Sequence, residues 1–162
     1  TSPPRMVTAV EILDGARDVG TRIVVVDTQG LHPGCDVAEL LLDQDREVEL
    51  ITTAPYAGSN VHPLVWRLLY QRLLKKGLKV SPFTQVIDLI DGSIKLRNSI
   101  TGIEEARASV DTIVFADNRK VDDSLFRSLK DKATEVYAIG DCLAPRSAEQ
   151  AIYEAQNVAR RI

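Results

Sequence analysis

Hydrophobic positions along the chain switch between a helical period and unbroken or alternating runs, and the switches mark out an α/β order of elements. Thr8 and Glu11 have the spacing of a capping box, in which each side chain satisfies the other residue's backbone N–H, and Val10, Leu13 and Ala16 follow at helical intervals. This predicts a short helix over 8–19, ended by Gly20. Residues 22–27, RIVVVD, form a β-branched run of the kind buried on both faces, hence a core strand. The following turn, 28–35, carries Gly30, Pro33 and Gly34, and Asp36 with Glu39 repeats the capping-box spacing, so a helix is expected from Val37. A second apolar run at 48–52 completes a strand–helix–strand unit whose two strands should lie parallel.

Pro63 suits a first helical turn, and VWRLLYQRLLKKG continues with leucines at helical spacing, lysines in the last turn and Gly77 as the stop. Over 79–106 the pattern changes to short alternating runs with Asp91-Gly92 as a hairpin signal, which predicts a small antiparallel meander. A buried strand at 110–116 and a helix at 122–132 follow, then a short strand at 135–139 ending in Gly140-Asp141. Ser147 and Gln150 start a last helix with Ala151, Ile152, Ala155 and Val158 as its apolar stripe. The fold class is therefore α/β, a Rossmann-like three-layer domain: a central parallel sheet with helices on one side and a small antiparallel β-meander on the other.

Composition narrows the function classes. With 162 residues and 44% of them hydrophobic, the chain can bury a real core, so disorder is not expected. A net charge of −3 with scattered lysines and arginines gives no basic field for nucleic acid. No apolar run reaches bilayer-spanning length and the start, TSPPRMVTAVEIL, lacks signal-peptide form, so no membrane association is expected and the location is cytoplasmic by default. The chain opens without methionine in linker-like sequence and stops while a helical pattern is still running, the form expected of a piece of a longer polypeptide.

Candidate chemistry is sparse. Cys35 and Cys142 have neither C-x-x-C spacing nor companion histidines, so both are expected as free thiols with no metal site, and Cys35, lacking a basic neighbour, as an ordinary small turn residue. His32 and His62 have no acidic or nucleophilic partner at recognisable spacing, and no catalytic residue is assigned. Trp66 and Tyr70 lie at i and i+4, which suits core packing, although with Tyr56 they could line a pocket. Arg146, beside the last helix cap, is the arginine placed to approach a phosphate.

The tail, VYAIGDCLAPRSAEQAIYEAQNVARRI, resembles the end of the flavoproteins related to trimethylamine dehydrogenase, histamine dehydrogenase and 2,4-dienoyl-CoA reductase, the NADH:flavin oxidoreductases. MVTAVEILDG, VVVD, VAELL, VELIT and TIVFADNRKVDDSLFRSL occur in matching order, extending the resemblance along the whole chain. It implies three segments: 1–20, a linker and short helix; 21–117, a degenerate NAD(P)-type Rossmann-like domain; and 118–162, a return segment completing an FAD- or ADP-type nucleotide-binding domain. By the same resemblance Gly140, Asp141 and Cys142 correspond to the contact with the ribityl and pyrophosphate part of FAD or ADP. A carboxylate at Asp141 can accept hydrogen bonds from sugar hydroxyls, and N–H groups after it can face a phosphate. Gly140-Asp141 would serve equally as a plain strand-ending turn.

Three departures weigh against NAD(P)H. Asp27 stands where the fingerprint has its first glycine, and a second anion within several ångströms costs about a few kcal/mol in a partly desolvated turn. The second strand ends in Thr52-Thr53, without the carboxylate or arginine that reads a ribose. Asp117, Asn118 and Arg119 replace a glycine-containing turn. The branch resembled is that of trimethylamine and histamine dehydrogenase, whose FMN barrel and iron–sulfur cluster lie outside this sequence. The implied function is a part of a flavin-dependent oxidoreductase that contributes to adenine-nucleotide binding and positions the redox module. Its partners would be the rest of the flavoprotein or a separate barrel subunit, and an electron-transfer partner. The alternative is a degenerate Rossmann scaffold or docking domain with no bound cofactor.

Overall fold

The β-branched run that opens the core becomes strand β2 (Arg22–Val26), and its alternation assigns each residue to one of two faces. In the computed structural model, which describes residues 3–15, 19–90, 93–116 and 120–162, Ile23 and Val25 pack among helices while Val24 and Val26 pack on a second sheet. The chain forms two compact units, Thr1–Asn118 and Arg119–Ile162.

In the first unit β1 (Arg5–Thr8), β2, β3 (Glu47–Ile51), β4 (Lys79–Ser81) and β8 (Thr112–Phe115) make an all-parallel sheet in the order β1-β8-β2-β3-β4. Helix α1 (Ala9–Leu13) follows β1, α2 (His32–Leu42) joins β2 to β3, and α3 (Pro63–Lys75) joins β3 to β4. Strands β5 (Thr84–Ile90), β6 (Ser93–Asn98) and β7 (Glu104–Arg107) pair antiparallel as the expected meander. One apolar cluster joins Ile23, Val25 and Leu50 to Val37, Leu41, Leu69 and Leu73 of α2 and α3. The other joins Val24, Ile51 and Ile113 to Ile94 and Leu96 of β6. The three layers are helices, parallel sheet and meander.

Several local expectations are corrected. The capping box is real, with Thr8 N–H donating to Glu11 at 2.7 Å and Glu11 N–H donating to Thr8 Oγ1 at 3.2 Å. The helix it opens ends at Leu13, however, and the four residues before it are a strand on β8 rather than linker. Its buried face is Ala9 and Ile12; Val10 and Leu13 are exposed, and Ala16 lies outside the described residues. The segment at 79–81 joins the main sheet beside β3 instead of the meander. The Asp91-Gly92 turn signal and the 117–119 departure also lie outside the described residues.

The second unit contains α4 (Ser124–Leu129), a 3-10 turn at Gly140–Cys142 and α5 (Ala148–Ala159). Ser147 caps α5 as expected, its hydroxyl accepting from Gln150 N–H. The strand expected at 135–139 is not formed: these residues run without a ladder into the 3-10 turn.

Candidate functional site

Ligands of open α/β sheets bind beyond the carboxyl ends of the strands, where the order of the strands reverses. Here the reversal lies at β2, with β3 on one side and β8 on the other. The turn leaving β2 is closed by its own carboxyl group. Asp27 is buried, and its Oδ1 accepts from Gln29 N–H at 3.1 Å and Gly30 N–H at 2.8 Å. Those N–H groups are the kind that a dinucleotide turn offers to phosphate.

Helix α2 starts five residues earlier than Val37, with Leu31 as N-cap, Pro33 in the first turn and Asp36 already helical. The earlier start brings Gly34 against Asp27: a Cβ on Gly34 would lie 2.6 Å from Oδ2 and 2.8 Å from the Asp27 Cβ. Gly34 therefore makes room for the aspartate, in the manner in which fingerprint glycines make room for pyrophosphate. The loop after β3 closes the turn from outside, since Asn60 N–H donates to Gly30 carbonyl at 2.8 Å and the Asn60 amide donates to Gln29 carbonyl at 2.6 Å. Trp66 ties that loop down, donating from Nε1 to Ala57 carbonyl at 2.9 Å and stacking on Tyr70 at 5.0 Å, with Tyr56 at 4.8 Å. The three rings brace the closure.

Cys35 lies beneath this turn in the first turn of α2, almost fully buried. Burial, then the neighbouring Asp27, Asp36 and Glu39, push its thiol up to about 12, so it is protonated and unreactive at neutral pH. His32 sits 3.9 Å from Asp36 on the same helix, and His62 is the N-cap of α3, its Nδ1 accepting from Leu64 N–H at 3.4 Å. Neither histidine is joined to a nucleophile, and among the described residues no cluster has the makings of a metal site.

In the second unit the four residues singled out from the sequence do come together. Gly140 takes a left-handed conformation, φ +61°, and packs on Ala151 of α5, where a Cβ would lie 3.2 Å from the alanine methyl. Its N–H donates to Glu154 Oε2 at 2.8 Å. The other carboxylate oxygen of Glu154 holds the Arg146 guanidinium. Arg146 also donates from Nε to Ala144 carbonyl at 3.2 Å, and its N–H makes a long contact of 3.4 Å to Asp141 Oδ1. Asp141 is exposed, and Cys142 is half-buried with its thiol donating to Ile139 carbonyl at 3.2 Å.

Glu154 organises this cluster and was missed in the sequence because it lies 14 residues from Gly140, in the second turn of α5. Its sole sequence signal is its place on the same face as Ala151. Arg146, expected to approach a phosphate, is paired with Glu154, and Asp141 is an exposed acceptor beside it.

No family model matches the chain. Among curated proteins it is 25% identical to N,N-dimethylglycine/sarcosine dehydrogenase of Chromohalobacter salexigens, a match covering 96% of the chain and 27% of that protein. It is 22% identical to dimethylamine dehydrogenase of a Hyphomicrobium species, covering 99% of the chain and 25% of that protein. Among solved structures, histamine dehydrogenase from Rhizobium sp. 4-9 superposes with a TM-score of 0.87 at 22% identity, over 98% of this chain and 26% of that one. The chain thus spans about a quarter of the length of the relatives it matches.

Proposed function

Starting from the chain's similarity to dimethylglycine/sarcosine dehydrogenase and dimethylamine dehydrogenase and from the fold it shares with histamine dehydrogenase, we propose that it belongs to the trimethylamine dehydrogenase and histamine dehydrogenase family and is the nucleotide-facing segment of a flavin-dependent oxidoreductase. Its role is to contact FAD or ADP through the 140–146 turn and to position the redox module. The observation that carries this reading is the exposed Asp141 carboxylate on a main chain fixed by Gly140 and Glu154. A carboxylate so placed accepts hydrogen bonds from vicinal sugar or ribityl hydroxyls, and a fixed backbone reduces the ordering cost of doing so. Gly140 and Cys142 shape the turn. Arg146, neutralised by Glu154, contributes orientation rather than a free charge to a pyrophosphate.

The residues suit one end of such a nucleotide, so another segment must supply the remainder of the pocket. When bound elsewhere in the full oxidoreductase, a flavin supplies the hydride acceptor. No residue of this chain is assigned to that step. The catalytic barrel, with its FMN and iron–sulfur cluster, would belong to the rest of the flavoprotein or to a separate subunit, and electrons would leave through a protein partner. The Asp27 turn does not fit NAD(P)H, because its N–H donors and its glycine space are already taken by a carboxyl group. No helix among the described residues is long and apolar enough to cross a membrane.

Thermal unfolding with ADP, FAD, NADH and NADPH tests the reading, since binding to the native state raises stability by mass action. ADP or FAD should raise the Tm in wild type and lose that effect in Asp141→Asn. Stabilisation by micromolar NADPH would contradict the closed Asp27 turn. A null result with all four favours the second reading, a Rossmann scaffold or docking domain without cofactor, for which the closure of the first turn already speaks.

A further inference from the structure

A cavity of about 360 Å³ opens at the amino-terminal ends of the parallel strands, on the opposite edge of the sheet from the Asp27 turn. Arg22, Glu47 and Lys79, the first residues of β2, β3 and β4, line it, with Arg46 from the turn before β3 and Lys76 from the turn before β4. Arg107, at the end of β7, completes a lining in which cations outnumber the carboxylates Glu47 and Glu49.

The cations are not equivalent. Lys76 is held by Glu39 at 3.0 Å and Asp43 at 2.6 Å, Arg107 by Glu49 at 3.2 Å and Glu105 at 2.9 Å, and Arg22 faces Asp111 at 3.8 Å. Arg46 and Lys79 make no ion pair with a described residue, and Arg46 Nε is buried without a hydrogen-bond partner. A buried donor left unsatisfied costs about 1–3 kcal/mol and calls for an acceptor. The carbonyl ends of α2 and α3 explain why cations gather at this edge. They do not explain why one guanidinium N–H is sealed away from any acceptor.

We propose that this cavity is a binding site for a small multivalent oxyanion, carrying phosphate or carboxylate groups, with Arg46 and Lys79 as its primary ligands. The planar guanidinium offers donors in the fork geometry that matches such groups, and Lys79 adds a point charge from the neighbouring strand. The volume lies at the small end of ligand pockets, so the occupant is a compact metabolite rather than a dinucleotide. The lining residues all belong to the first unit, the Asp141 turn to the second, and either assignment can fail alone.

Isothermal titration calorimetry of the full chain with inorganic pyrophosphate and with citrate, against sodium chloride at matched ionic strength, tests the site. The expected result is saturable binding of one anion per chain, at least tenfold weaker in Arg46→Gln and in Lys79→Gln, with circular dichroism confirming that the variants fold. A response to pyrophosphate alone assigns the phosphate class, and to citrate alone the carboxylate class. Absence of saturable binding by both anions, or affinity unchanged in both variants, overturns the proposal.

Discussion

At the end of β2 and again at Gly140, a glycine brings main chain close to a neighbouring element beside an aspartate, and the two aspartates end in opposite places. Asp27 is buried, and its Oδ1 takes the N–H groups of Gln29 and Gly30; Asp141 is exposed, and the N–H of Gly140 goes instead to Glu154. The first turn consumes its binding groups internally. The second fixes its backbone with a residue from α5 and leaves its carboxylate outward. A glycine in a nucleotide-type turn is therefore no evidence of a ligand until it is known which atoms use the space.

The sharpest way to break that contrast is Gly34→Ala. The added methyl would lie within 2.8 Å of three Asp27 atoms, including its Cβ, so a swing of the carboxyl tip alone cannot relieve it. Overpacking of this kind costs about 1–3 kcal/mol, offset by up to about 1 kcal/mol of helix propensity. The expected net loss is about 2 kcal/mol in urea unfolding. The double variant Asp27→Gly with Gly34→Ala should recover at least about 1 kcal/mol of that loss relative to additivity. Strict additivity would mean that Gly34 is not there to admit Asp27.

Much of this contrast was legible in the sequence, and the reasons for the rest are physical. Strands β2 and β3 announce themselves through β-branched runs, α3 through Pro63, and α5 through Ser147 with its apolar stripe. Asp27 reads in the sequence as hostile to phosphate, whereas its partners at Gln29 and Gly30 and its packing on Gly34 depend on α2 starting at His32. Leu31 carries no capping side chain, so the spacing of Asp36 and Glu39 pointed to a later start. Strand β1 is four residues long and exists through its pairing with β8, more than a hundred residues away. Glu154 acts on Gly140 and Arg146 only once α5 folds back on the turn. Local pattern carries propensity and caps; it does not carry which side chain arrives from a distant element.

The two cysteines extend the comparison to reactivity. Cys35 lies under the closed turn with its thiol pushed up to about 12 by burial and by nearby carboxylates, whereas Cys142 sits half-buried on the open one. With a disulfide reagent at pH 8, Cys142 should be modified at least tenfold faster than Cys35, because the thiolate is the attacking species and access is required. Peptide mapping after partial modification distinguishes the two. Equal rates would mean that the first turn opens readily, and the contrast between closed and open turns would fail.

A smaller effect tests what keeps α2, the helix that carries Cys35, pressed against α3. Arg72 of α3 grips Glu39 through two hydrogen bonds of 2.9 Å each, and Lys76 bridges Glu39 to Asp43. The Arg72 hydrogen bonds, aided by Lys76, hold the Glu39 carboxyl down at about 2, against an ordinary 4.5. A depressed carboxylate stabilises the fold above its unfolded value, and that contribution is lost as pH falls from about 4.5 to about 2. Because its cationic partners are solvent-exposed, screening keeps the gain near 1 kcal/mol. Glu39→Gln should therefore lower stability by about 1 kcal/mol at pH 7 and by progressively less below pH 4.5. In this variant Cys35 modification should accelerate while Cys142 modification stays as in the wild type. A variant whose stability gap is the same at pH 7 and pH 3 would place the contribution of Glu39 in packing rather than in its charge.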